Sequence, residues 1–176
     1  MIKTFNNSIQ KFDSVLFLYI SGLNNHRIVD RVFYVISKIG DGPLYIIVGI
    51  SLVLKPDEIG LNLLFAGLLA FTIELPVYFI VKRYVKRLRP FEKMDNIKHL
   101  IVPPDKYSFP SGHTAAAFVM ATVFSYHFPA VSPWLYLAAS LIGFSRLYLR
   151  VHFPTDVMAG VTLGILSANI SLWIIF

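Results

Sequence analysis

Residues Ile59 to Val81 form an apolar run of about 23 residues in which Glu74 is the one charged side chain. A helix needs about 20 such residues to cross the hydrocarbon of a bilayer. Backbone groups in lipid must find their hydrogen bonds within their own segment, so a helix is the conformation open to this run. Further apolar stretches follow at 111–128, 134–149 and 154–176, and 56% of the 176 residues are hydrophobic against 15% charged. The expected fold is all-α: a polytopic membrane helical bundle of about six helices, folded as one domain over residues 1–176. The chain has no cysteine, which excludes disulfides, thiolate catalysis and cysteine-based metal sites.

The remaining segments fit this plan. Phe5, Ile9, Phe12, Leu16 and Tyr19 recur at three- and four-residue spacing, so Lys3 to Gly22 is an amphipathic helix that lies on the membrane or enters it, with Asn24–Asn25 as its break. Met1 to Gln10 lacks the pattern of a cleaved signal, and insertion is expected to rely on the spans. A second helical stretch, His26 to Ile39, meets the turn Gly40-Asp41-Gly42-Pro43. Leu44 to Leu54, stopped by Lys55-Pro56-Asp57-Glu58, is too short to cross alone and should share a crossing with the stretch before it. Pro76 should kink the long span, and Glu74 beside it is either a relay group or a hydrogen-bonded neutral carboxyl. That helix is expected to continue through Arg89 and stop at Pro90, before a loop to residue 110. Alanines 115, 116, 117 and 121, and the series Gly160, Gly164, Ala168, are close-packing signals.

Three polar clusters fall at span boundaries. Ser145 to Asp156 places Arg146, His152 and Asp156 within twelve residues. Asp156 lies four residues after His152 and can fix one imidazole nitrogen, leaving the other to attack an electrophile, while Arg146 offers a charged fork for phosphate oxygens. A helix cap with its neighbour would use the same residue types. Lys82 and Arg89, seven apart, would share a helix face and grip one polyanion, or form a basic collar at the membrane surface. Pro110-Ser111-Gly112-His113 opens a helix: Ser111 is a preferred N-cap, Gly112 permits close approach, the first amides are unpaired, and His113 can protonate a leaving oxygen. The order of spans brings all three clusters to one membrane face. Net charge is +6, but the basic residues crowd beside the spans, which points to an anionic lipid or phosphate partner and away from nucleic acid.

These blocks carry a resemblance. Lys82-x6-Arg89-Pro90, Pro110-Ser111-Gly112-His113 and Ser145-Arg146-x5-His152-x3-Asp156 match every fixed position of the type 2 phosphatidic acid phosphatase signature, the membrane branch of a superfamily shared with vanadium haloperoxidases. The signature covers residues 82–156, and 1–41 carry none of it. The resemblance implies a hydrolase of lipid phosphate monoesters or diphosphates that needs no metal or cofactor. His152 would form a phosphohistidine, Asp156 would orient it, and His113 would act as acid and then base. Lys82, Arg89, Arg146, Ser111 and Gly112 would hold the phosphoryl oxygens. His26, His99 and His127 match no block. Substrates of this class are undecaprenyl diphosphate, phosphatidylglycerol phosphate, phosphatidic acid and lipid A phosphates, with oligomeric state left open. The basic-residue count favours a cytoplasmic active face, whereas the resemblance implies an extracytoplasmic face of the cell (inner) membrane, with catalysis accounting for the charges there. A lipid-phosphate binding or transport protein and a vanadate-using haloperoxidase are the other readings of the same pocket.

Overall fold

The computed structural model describes residues 2–22, 26–54, 57–95 and 97–176, with side chains from residue 8 onward. Among them are eight α-helices and no strand: α1 (Ile2–Ser21), α2 (Arg27–Ile39), α3 (Gly42–Leu54), α4 (Glu58–Val85), α5 (Pro90–Lys93), α6 (Gly112–His127), α7 (Ser132–Tyr148) and α8 (Pro154–Ile175). The expected breaks at Asn24–Asn25 and Lys55–Pro56 lie outside the described residues.

Helix α6 is the axis of the bundle. It packs most extensively on α8 and also on α7 and α4, while α2 lies on α7 and α3 on α4. The α6–α8 contact is close because glycine removes the intervening side chain. A Cβ on Gly160 would stand 2.6 Å from the Ser111 carbonyl, and one on Gly164 would meet the Ala115 carbonyl and, at 2.9 Å, Phe118 Cβ. Beside this seam Val119 and Val123 pack with Leu63, Ala66, Ala70, Ala168 and Leu172. Ser171 Oγ donates to the Ala66 carbonyl at 2.7 Å, which satisfies a buried hydroxyl. Large apolar side chains such as Trp173, 84% exposed, face outward, as they do in a bundle whose surroundings are lipid.

Helices α4 and α8 are each long and apolar enough to cross a membrane. Helices α2 and α3 pass the same test as a pair bent by 45°, the length and composition that a shared crossing by residues 44–54 requires, and the bend falls at the Gly40–Asp41 turn. α6 and α7 have 16 and 17 residues. Asp57 caps α4 by accepting from Gly60 N at 2.6 Å, and the helix runs on through Pro76.

One expectation is overturned at the end of α4. The helix stops at Val85, because Lys86 adopts a left-handed conformation (φ 47°, ψ 39°) and its amide closes the last turn onto the Lys82 carbonyl. Pro90 disfavours the helical region for the residue before it, and Arg89 is extended (φ −76°, ψ 159°). Lys82 and Arg89 therefore do not stack on one helix face; the extended stretch swings Arg89 across the bundle end.

Candidate active site

Lys82 and Arg89 nevertheless meet, on a carboxylate the sequence did not single out. Lys82 Nζ lies 2.6 Å from one oxygen of Asp105, and Arg89 Nη2 lies 2.5 Å from the other. Tyr78 donates to the first of these oxygens at 2.8 Å and accepts from Lys82 at 2.5 Å. Burial alone would raise the Asp105 pKa. Hydrogen bonds from Lys82 and Tyr78 and the two cationic charges outweigh it and hold the group at about 2. Arg89, 1% exposed, also donates to the carbonyls of Val151 at 2.6 Å and Tyr107 at 3.1 Å. Asp105 thus engages both cations, one on each oxygen. Asp105→Asn is expected to lower the inhibition constant for inorganic phosphate about tenfold, since the anion no longer competes with a charge-assisted contact. An unchanged constant would mean that carboxylate and phosphate bind side by side.

The second block sits at the start of α6, after the cis Phe109–Pro110 bond. Ser111 occupies the N-cap position without a capping bond from its side chain. Its oxygen accepts from Thr114 Oγ1 at 2.9 Å, and its amide donates to the Asp156 carbonyl at 3.0 Å. Gly112 is required by a close approach: a Cβ there would lie 2.9 Å from the Tyr78 ring. His113 Nε2 is 2.7 Å from Asp41 Oδ1, at the bend between α2 and α3. Lys38 pairs with the other Asp41 oxygen at 2.9 Å.

The third block closes the site. Arg146 is 2% exposed and donates through Nη1 to Ser37 Oγ on α2. Its charge reaches both histidines. His152, also 2% exposed, follows α7 in the turn to α8. Burial pushes its pKa down to about 3 against the opposing pull of Asp156, so the imidazole is neutral. Its Nδ1 is 3.6 Å from Asp156 Oδ2, longer than a hydrogen bond, and has no hydrogen-bond partner among the described residues. Asp156 instead accepts from Phe153 N and from Arg87 Nη1, both at 2.7 Å. Arg87 continues to Thr155 Oγ1 at 2.7 Å and to Asp13 of α1, and Asp13 accepts from the Thr155 amide at 2.9 Å. This chain of charges from α1 to α8 supports the segment that carries His152.

All eight residues singled out from the sequence thus lie at one end of the bundle, and bonds from Ser111 to Asp156 and from Arg89 to Val151 join the blocks. A cavity of about 860 Å³ opens on His113, Arg146, Asp105 and Gly112. His99 packs on Phe91 at 4.5 Å, His127 on Phe176 at 5.3 Å, and His26 precedes α2; none joins the cluster. Asp41, Asp105, Arg87, Asp13 and Ser37 were missed. Asp41 stood in a turn read as punctuation, Asp105 in a loop without periodicity, and Arg87 inside a basic run.

An all-helical bundle with polar blocks gathered at one end defines a class of membrane protein. Comparison then fixes the family. The profile of the PAP2 superfamily matches residues 59–176, and the chain belongs to that superfamily. It is 42% identical to lipid A 1-phosphatase of Porphyromonas gingivalis over 71 residues, 38% of this chain and 16% of that protein. The chain spans only 42% to 52% of the length of three further curated relatives. Among solved structures, Aquifex aeolicus LpxE superposes with a TM-score of 0.83 at 32% identity, covering 92% of this chain and 95% of that one. The first transmembrane PAP2-type phosphatidylglycerolphosphate phosphatase from Bacillus subtilis gives 0.73 at 28% identity, over 96% and 86%. The protein is a multi-pass membrane protein of this superfamily.

Proposed function

We propose that the chain, acting as a single domain over residues 1–176, hydrolyses a phosphate monoester or diphosphate of a membrane lipid through a phosphohistidine. The observation that carries this reading is the joining of the three blocks: the Ser111 amide on the Asp156 carbonyl and Arg89 on the Val151 carbonyl. Neutral His152 attacks phosphorus through Nε2, the nitrogen turned from Asp156. Lys82, Arg89 and Arg146, with the Ser111 hydroxyl and the first amides of α6, hold the three phosphoryl oxygens, where charge grows in the transition state. His113 gives a proton to the leaving oxygen, with Asp41 holding its imidazole at Nε2. With the alcohol or phosphate gone, His113 takes a proton from water, which attacks the phosphohistidine and releases inorganic phosphate. The substrate is an anionic phospholipid, isoprenoid or glycolipid phosphate, as the names of the relatives suggest, and the site faces the outer side of the cell (inner) membrane.

A phosphate-release panel over undecaprenyl diphosphate, phosphatidylglycerol phosphate, phosphatidic acid and lipid A tests the reading. Release from at least one, undiminished by a chelator, is expected. On intact spheroplasts it is expected from substrate supplied outside. No release from any of the four, or complete loss with chelator, would refute the mechanism.

A further inference from the structure

The cavity does not end at Arg146, His113 and Asp105. It continues along α4 past Tyr78 to Glu74, where Phe71 and Tyr45 wall it. Lys82, Tyr78 and Glu74 are spaced four apart and share one face of the helix. At 1.5 Å per residue, Glu74 lies about 12 Å deeper into the bundle than Lys82. Glu74 is 2% exposed, lines the cavity, and makes no hydrogen bond or ion pair among the described residues. No contact ties it to the backbone freed by Pro76. The Tyr45 hydroxyl on the same wall is likewise buried without a partner. A buried carboxyl and a buried phenol left unpaired within one cavity are costly, and such orphans call for a partner from outside the chain.

We infer that Glu74 and Tyr45 form a subsite for hydrogen-bond donors on the leaving alcohol, so that the preferred substrate carries hydroxyl or ammonium groups on the part of that alcohol reaching along α4 away from the phosphate, as a phosphorylated sugar lipid does. The inference rests on the phosphatase reading above. With the phosphate held at Lys82 and Arg89 and the tail in lipid, the part of the substrate lying along α4 is the alcohol that leaves. A prenyl phosphate puts bare hydrocarbon against Glu74 and leaves both oxygens unpaired. A sugar or amino sugar satisfies them. Sites built to hydrogen-bond a substrate group discriminate strongly against analogues lacking it.

The test compares kcat/KM for a phosphorylated glucosamine lipid and for undecaprenyl phosphate, in the native protein and in Glu74→Leu, Glu74→Gln and Tyr45→Phe. The native protein is expected to favour the glycolipid, and Glu74→Leu to reduce the glycolipid-to-prenyl ratio at least about tenfold. Glu74→Gln separates the two donors: a retained ratio indicates hydroxyls, and a lost ratio indicates an ammonium. If Glu74→Leu does not accumulate in the membrane, Tyr45→Phe, which removes one oxygen, is expected to lower the ratio about threefold or more. A native preference for the prenyl substrate, or ratios unmoved by Glu74→Leu and Tyr45→Phe, overturns the inference while leaving the phosphatase reading intact. Absence of release from either lipid while phosphatidic acid or phosphatidylglycerol phosphate is hydrolysed also overturns the inference, and absence of release from every lipid tested strikes the phosphatase reading instead.

Discussion

His152→Asn is expected to reduce turnover by at least about a thousandfold, because in the proposed mechanism the covalent intermediate forms on His152 and the cations only bind. Phosphate release from the best lipid substrate measures it, and inorganic phosphate should still bind the variant. A variant within tenfold of the native rate would remove His152 from the nucleophile's role. The same substitution has a readout that does not depend on activity. Folding holds the imidazole at about 3 against an ordinary 6.5, so the unfolded chain takes up a proton that the native state refuses. Native stability therefore falls as pH drops from 6.5 towards 3, and this component should be missing from the variant's unfolding profile in detergent.

Arg87→Met should be the most destabilising single change at this end of the bundle, by about 3–5 kcal/mol. Arg87 neutralises Asp13 and Asp156, which are 1% and 0% exposed, and its guanidinium lies 4.4 Å from the Phe153 ring centre. Removing it strands two buried carboxylates, one of them beside His152. Denaturant or thermal unfolding in detergent checks the magnitude. Pairing the change with Asp13→Asn should recover part of the loss, because one of the stranded charges is then gone. A destabilisation below about 1 kcal/mol would mean that water or another cation compensates these carboxylates.

The sequence was most legible where spacing and chemistry coincide. The run from Ile59 to Val81 announced a spanning helix, and the glycines at 160 and 164 announced a close helix contact. The three polar blocks announced a site at one end. What it concealed has a physical reason in each case. The left-handed cap at Lys86 ends the helix before the restriction that Pro90 places on Arg89 takes hold, and periodicity does not register such a cap. Asp41 and Asp105 come from a turn and an irregular loop, so their partners at 113 and at 82 and 89 are set by tertiary folding. Arg87 looked like one more cation in a basic stretch, whereas its two acidic partners lie on α1 and α8. The expected hydrogen bond between Asp156 and His152 is replaced by contacts to Arg87 and Phe153, since a fully buried carboxylate settles first on the donors nearest it.

The bend between α2 and α3 reaches further than its place in the chain suggests. Ser37 and Asp41 stand ahead of residue 59, where the match to the superfamily begins, yet they hold Arg146 and His113. Residues 59–176 are consequently not a portable cassette. Grafting them behind foreign N-terminal helices would keep every signature residue and still leave His113 and Arg146 without these partners.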